Sequence, residues 1–348
     1  MSSDPSAGRP PQRVFAAGGP RELGVQHGRQ ASALIAETYR MRMRRASQST
    51  SEGAVLAAAA AYVPAVSRFV PELLAEVEGL ADGAQMTFEQ AFFLQVATEM
   101  ELAVGEGCSS VGAVLAGQEP FIAQNWDRPR ETAGKQIILH LAPDDGPELL
   151  MYTIAGVIGY IGMNSAGLGH VNNQLYRASK PIGLTGYFVT RKMLSFSTVP
   201  SALDWLGGVE VGSTASYLFG DQHGNLANVE LADGRCETVL SPVQAHTNHY
   251  RSERWRRGDE GPTRLPDTVS RLARLESLFG ESASQDAALG ALRDHHGAPY
   301  AVCRHDEAPD GIATAASILM RLRSREMLVA EGPPCSTPYV AYGFSREQ

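Results

Sequence analysis

The sequence predicts a layered α+β protein built on largely antiparallel sheet. Apolar residues recur at helical spacing from Pro20 to about Leu102, and from Gly105 the chain turns to short β-branched or apolar runs cut by Gly, Pro and Asp. The order is equally informative: helices, strands, helices and strands again, without the single-strand, single-helix alternation that marks βαβ units. A chain of 348 residues with 43% hydrophobic and 20% charged content can bury a full core.

Residues 1–19 open with Ser, Pro and Gly and lack an apolar h-region, so they read as a disordered lead with no basis for Sec-type export. From Pro20 to about Leu102 the pattern is helical. Arg21 to Ser47 forms one segment, the Ala-, Leu- and Glu-rich stretch Ser51 to Ala81 a second, and Thr87, followed by Glu89 and Gln90, caps a third. Arg40, Arg42, Arg44 and Arg45 make up the one strong basic run, which fits the solvated side of a helix.

Strands are expected at Ser109 to Leu115, Pro120 to Gln124, Gln136 to Leu141 and Leu149 to Ile154. Leu184 to Leu206 reads as helix with a break near Pro200. Strands return at Ser213 to Phe219, Leu226 to Leu231 and Cys236 to Leu240, the last two joined by the turn residues Asp233 and Gly234. Two amphipathic helices between Asp267 and Asp294 precede strands at Ile312 to Arg321 and Met327 to Ala330. No internal repeat is visible, and no apolar run approaches a membrane span.

A formal charge of −8 and a pI near 5.6 argue against a nucleic-acid binder, whose phosphate contacts call for a basic face. The four cysteines lie far apart with no C-x-x-C pair, so they read as individual thiols, without a zinc ribbon or a disulfide framework. A reducing, cytoplasmic location is the expectation. His246 and His249, with His295, His296 and His305 elsewhere, raise a metal-dependent hydrolase as an alternative. They lack an H-E-x-x-H context and an evident carboxylate ligand, so no metal and no cofactor is expected. The glycines between Gly156 and Gly169 do not form a dinucleotide fingerprint.

The segment that carries chemistry is Gly107-Cys108-Ser109-Ser110, followed by Gln124-Asn125-Trp126-Asp127. A Gly before a Cys at the start of a strand places a thiol at a sheet end, where Gly permits a strained approach of the backbone. Attack of that thiol on the preceding carbonyl would give a thioester, and water would release a chain beginning with Cys108. The new α-amine, with an ordinary pKa of about 7.7 to 8.0, can serve as general base for the thiol of its own residue. No His partner is then required.

Together with Gly162-Met163-Asn164-Ser165-Ala166-Gly167-Leu168, His246-Thr247-Asn248-His249, Cys303-Arg304-His305 and Gly332-Pro333-Pro334-Cys335, these segments resemble the acyl-coenzyme A:6-aminopenicillanic acid acyltransferase family (peptidase family C45) from about Arg21 onward. The resemblance implies a four-layer αββα N-terminal-nucleophile hydrolase fold. It also implies self-cleavage at Gly107-Cys108 into a helical fragment, residues 20–107 after the lead, and a catalytic fragment, residues 108–348, which stay associated. By position, Cys108 resembles the nucleophile, Asp127 the carboxylate that orients its amine, and Asn248 the amide that donates to the tetrahedral intermediate. Arg304 corresponds to a residue that holds a substrate carboxylate or anchors the site. The implied activity is hydrolysis or transfer of an acyl group from a small-molecule amide or acyl thioester. A non-catalytic small-molecule-binding protein on the same fold is the alternative from another class.

Overall fold

The computed structural model describes residues 10–100, 106–178, 181–280 and 282–345. In chain order it forms β1 (Gln12–Gly18), α1 (Pro20–Ala46), α2 (Glu52–Ala60), α3 (Val63–Phe69), α4 (Pro71–Ala84), α5 (Phe88–Met100), β2 (Gly107–Ala113), β3 (Phe121–Pro129), β4 (Gln136–Pro143), β5 (Leu149–Ile154), β6 (Ile161–Asn164) and β7 (Leu168–Gln174). There follow α6 (Gly186–Met193), α7 (Val199–Gly207), β8 (Ala215–Asp221), β9 (Leu226–Ala232), β10 (Arg235–Leu240), β11 (Val243–His246), α8 (Glu253–Arg256), α9 (Gly261–Arg264), α10 (Thr268–Phe279), α11 (Gln285–Leu292), β12 (Ile312–Arg321), β13 (Glu326–Ala330) and β14 (Val340–Tyr342).

The strands form an eight-stranded sheet, β1-β4-β5-β6-β7-β8-β9-β10, and a six-stranded sheet, β11-β2-β3-β12-β13-β14. Among the described residues every pairing of these strands is antiparallel except β1 with β4. The αββα layering expected from the sequence is present. Helices α1, α4 and α5 close the outer face of the larger sheet through a core that includes Ile35, Leu80, Phe93, Ile137 and Leu139. Helices α10 and α11 close the smaller sheet with Leu275, Phe279 and Leu292 against Val111, Phe121 and Ala123. Between the sheets lies a second core, in which Ile122, Trp126, Ile138, Tyr152, Val171, Leu218 and Ile318 meet.

Strand period decides which way the site residues point. Along β3, Ile122 and Trp126 face the inter-sheet core while Phe121 and Ala123 face α10 and α11. Along β2, Cys108 belongs to the inter-sheet side and Val111 and Ala113 to the helical side.

Three expectations are corrected. The segment Gln12–Gly18, inside the expected disordered lead, is a strand added in parallel to β4, with Val14 and Ala16 fully buried. Helices are therefore not the first elements. Ser51 to Ala81 is three helices rather than one, because Pro64 and Pro71 each sit in a first helical turn, where a missing N–H costs nothing. The basic run is not wholly solvated: Arg42 is buried against the Tyr187 hydroxyl (2.9 Å) and Arg45 is buried against Glu131 (2.7 Å). Of the helical stretch, Leu102 lies outside the described residues.

Helices α1 and α4 approach closely enough for their backbones to touch. A Cβ on Gly24 would lie 1.9 Å from the Glu76 carbonyl oxygen, and one on Gly79 would lie 2.0 Å from that of Arg21. Only the glycines permit this. Among the described residues no helix is long and apolar enough to cross a membrane.

Candidate active site

Cys108 is the second residue of β2 and pairs with Trp126, while Gly107 pairs with Asp127. The register therefore sets the Asp127 side chain beside the Gly107-Cys108 peptide. A Cβ on Gly107 would lie 3.0 Å from Asp127 Oδ2. Gly107 does not have a left-handed φ. Its missing side chain makes room for the carboxylate, and the strained backbone expected there is absent.

The peptide is gripped from both sides. Before it, the Glu106 N–H donates to the Tyr176 hydroxyl (2.9 Å), and that hydroxyl donates to the Glu106 carbonyl (2.8 Å). The Glu106 carboxylate pairs with buried Arg128, which stacks on Trp126 at 4.6 Å and donates to the Tyr160 hydroxyl. After it, the Cys108 N–H donates to Asn248 Oδ1 (2.9 Å), and Asn248 Nδ2 donates to the Gln174 carbonyl (2.9 Å).

Arg271 of α10 ties these parts together. It donates to the Cys108 carbonyl (2.8 Å), to Ser109 Oγ (2.9 Å) and to Asn248 Oδ1 (3.0 Å), and it is itself held by Asp267 (2.5 Å) one helical turn earlier. Spacing of i and i+4 puts Asp267 and Arg271 on one helix face. Nothing in that spacing signals that the face meets the strand of Cys108, so neither residue is legible as part of the site from sequence.

Asp127 Oδ1 accepts from Thr314 Oγ1 (2.8 Å), whereas Oδ2 is buried and has no hydrogen-bond partner among the described residues. Burial pushes the Asp127 carboxyl up to about 6, against the pull of Arg271, Arg304 and Thr314. Burial, reinforced by the Asp127 charge, pushes the Cys108 thiol up to about 12, against the backbone N–H of Asp127, Arg271 and the backbone N–H of Gln174. In the continuous chain the sulfur is thus a protonated thiol beside a carboxyl group poised near neutrality.

Arg304 is fully buried. It pairs with Asp310 (2.5 Å) and more distantly with Asp267 (3.7 Å), and its backbone N–H donates to Thr314 Oγ1 (2.9 Å), the hydroxyl that reaches Asp127. Its place in the fold is an anchor behind the carboxylate. His246 bonds Glu230 (2.8 Å) and the Thr247 carbonyl (2.8 Å), and His249 turns to Thr247 and Thr268. These two histidines do not gather with each other as ligands. The cysteines do not all stand apart, however. Loops after α11 and after β13 converge and bring Cys303 and Cys335, distant in sequence, to an Sγ–Sγ separation of 3.7 Å.

Beside the inter-sheet core lies a narrow cavity of about 30 Å³, bounded by Glu99, Arg128, Tyr160, Gln174, Tyr187 and Tyr217 among others. Arg128 and Gln174 belong to both the cavity and the surroundings of Cys108.

The acyl-coenzyme A:6-aminopenicillanic acid acyl-transferase family model matches residues 114–334. The match begins after Cys108, so it does not itself assign the nucleophile. The chain is 25% identical over 344 residues to the acyl-coenzyme A:6-aminopenicillanic-acid-acyltransferase 40 kDa form of Emericella nidulans, with 92% of each chain covered. Among solved structures it is similar to penicillin V acylase from Agrobacterium tumefaciens (TM-score 0.46, 16% identity, 69% of this chain and 89% of that one). It is also similar to a variant of conjugated bile acid hydrolase from Clostridium perfringens (TM-score 0.40, 12% identity, 68% of this chain and 97% of that one).

Proposed function

Because the chain belongs to the acyl-coenzyme A:6-aminopenicillanic acid acyl-transferase family, we propose that it is a self-processing amide hydrolase or acyltransferase whose nucleophile is Cys108. The observation that carries this reading is the Gly107-Cys108 peptide itself. Its N–H is held by Asn248, and an unpartnered carboxylate oxygen of Asp127 lies against its glycine.

Self-cleavage begins when the Cys108 thiol gives its proton to the Asp127 carboxylate and Sγ attacks the Gly107 carbonyl carbon. The C–N bond then breaks, nitrogen takes a proton and becomes the Cys108 amine, and a thioester joins Gly107 to Sγ. Water cleaves that ester, which leaves a Gly107 carboxylate and a free thiol. The fragments would have 107 and 348 − 107 = 241 residues. Their association follows from the cores, in which α1, α4 and α5 pack on strands that belong to the larger fragment.

Cleavage changes the local electrostatics. The new ammonium replaces an amide N–H, and Asp127 Oδ2 is the buried acceptor beside it. The neutral amine takes the thiol proton as sulfur attacks a substrate carbonyl, and returns it to the departing amine or thiol. Asn248 Nδ2 has a second hydrogen beyond the one given to Gln174, and that hydrogen stabilises the tetrahedral oxygen. A thioester acyl-enzyme results. Water resolves it in hydrolysis and an amine resolves it in transfer, with the acyl donor a small-molecule amide or acyl thioester. Departure of Glu106 from Arg128 would free that cation for a substrate anion.

The test is the denatured mass of the purified protein. Wild type should resolve into two polypeptides, the larger starting at Cys108 by N-terminal sequencing. Cys108→Ala should stay a single chain and lose turnover on a panel of N-acyl amines and acyl thioesters. An uncut wild-type chain with full activity, or a Cys108→Ala chain that turns over normally, overturns the proposal.

A further inference from the structure

Cys303, Cys335, His295 and His305 each direct one ligating atom into a common space, with all four atoms within 4.8 Å of one another. Sγ of Cys303 and Sγ of Cys335 are 3.7 Å apart. His305 Nε2 lies 3.9 Å from Cys303 Sγ, 3.3 Å from Cys335 Sγ and 3.0 Å from His295 Nε2. A tetrahedron with zinc–sulfur bonds of about 2.3 Å and zinc–nitrogen bonds of about 2.0–2.1 Å has edges of about 3.8 Å (S···S), about 3.6 Å (S···N) and about 3.3 Å (N···N). The four separations stay within a few tenths of an ångström of these edges.

We infer that Cys303, Cys335, His295 and His305 form a closed, tetrahedral Cys2His2 site for one zinc ion, separate from the proposed nucleophile. Ordinary hydrogen bonding does not account for the convergence. A single imidazole nitrogen has either one hydrogen or one lone pair to offer, yet His305 Nε2 faces three partners. A disulfide would need sulfurs about 2.05 Å apart. Two thiolates balance the dication, and two neutral imidazoles complete the shell. Four protein ligands leave no open position, so the ion's role is structural.

The ligands stand on supported backbone. The Cys303 N–H donates to the Asp294 carbonyl (3.0 Å), and the Asp294 carboxylate is held by Arg274 (2.8 Å). Cys335 sits in a turn whose Pro333 carbonyl accepts from the N–H of Ser336 (3.1 Å) and Thr337 (3.0 Å). Arg293 reaches across to the Pro334 carbonyl (3.1 Å) and joins the two loops. Between the ligands Cys303 and His305 lies Arg304, whose N–H bonds the hydroxyl that holds Asp127. The ion would therefore pin the turn that backs the Asp127 carboxylate. It is a positioning device and takes no part in acyl transfer.

The experiment is elemental analysis of the untagged, full-length protein after dialysis against metal-free buffer, joined to X-ray absorption at the zinc edge. The expected result is about one zinc per chain with two sulfur and two nitrogen neighbours. Cys335→Ser, at an exposed position, should fall below about 0.2 zinc per chain, while Cys236→Ser, outside the cluster, should keep its full content. Should Cys335→Ser fail to fold, Co²⁺ uptake by the metal-stripped wild type provides the second reading, through the visible bands of a tetrahedral thiolate site. Three results overturn the inference: no zinc and no cobalt uptake by folded wild type, a Cys303-Cys335 disulfide in the peptide map, or zinc retained at full content by Cys335→Ser.

Discussion

Replacement of Asp127 by Asn should stabilise the uncut chain while it impairs the proposed chemistry. Burial lifts this carboxyl from 3.8 to about 6. The folded chain therefore keeps a proton that the unfolded chain has already released. Its stabilising contribution is complete below the unfolded value of 3.8 and is lost as the pH rises through about 6. That displacement corresponds to about 3 kcal/mol. The substituted amide would have no such proton to lose, and its side-chain oxygen can still accept from Thr314 Oγ1 as Asp127 does at 2.8 Å. The comparison is made in a Cys108→Ala background, so that both proteins remain continuous. Urea unfolding of Cys108→Ala and of Cys108→Ala with Asp127→Asn, followed from about pH 4 to about pH 7.5, should show their difference in unfolding free energy moving toward the double variant by about 2.4 kcal/mol, the remainder being lost below pH 4. A difference that stays flat across this interval, or moves the other way, refutes the burial argument. With Cys108 intact, the same substitution should slow self-cleavage about 100-fold, the lower end of what a placed acid or base supplies.

Arg271→Lys keeps a charge near Asp127 but cannot span the Cys108 carbonyl, Ser109 Oγ, Asn248 and Asp267 with a single ammonium. Appearance of the larger fragment in a time course on denaturing gels should slow about tenfold to a hundredfold, and an unaltered rate would contradict the anchoring role given to this arginine. Gly79→Ala would gain about 1 kcal/mol from helix propensity in an open helix, yet its Cβ would meet the Arg21 carbonyl oxygen at 2.0 Å. The net effect should be a loss of about 2 kcal/mol or more, read as a lower thermal midpoint, and a midpoint that rises would show that α1 and α4 do not pack backbone to backbone.

Local chemistry made much of the fold legible. The Thr87 cap was readable because its hydroxyl accepts from the Gln90 N–H (3.3 Å) while the Gln90 side chain accepts from the Thr87 N–H (3.0 Å), a reciprocal pattern written in adjacent residues. The Asp233-Gly234 hairpin was readable for a similar reason: both residues have positive φ, 52° and 77°, which this pair tolerates. Strands β1, β6, β7, β11 and β14 escaped, since they are short, Gly-rich or polar, and gain their identity from neighbours across the sheet. For β1 that neighbour is β4, more than a hundred residues away in the chain.

Sequence alone determined the layered α+β class and the thiol at a strand start. These depend on periodicity and on chemistry carried within a few residues. Tertiary structure alone decided that Asp127 lies against Gly107, that Arg271 binds the Cys108 carbonyl, and that Cys303 and Cys335 share one space with His295 and His305. Each of these contacts is made by sheet register or by loops that return from distant elements. Composition and spacing do not encode such long-range placement until the chain has closed on itself.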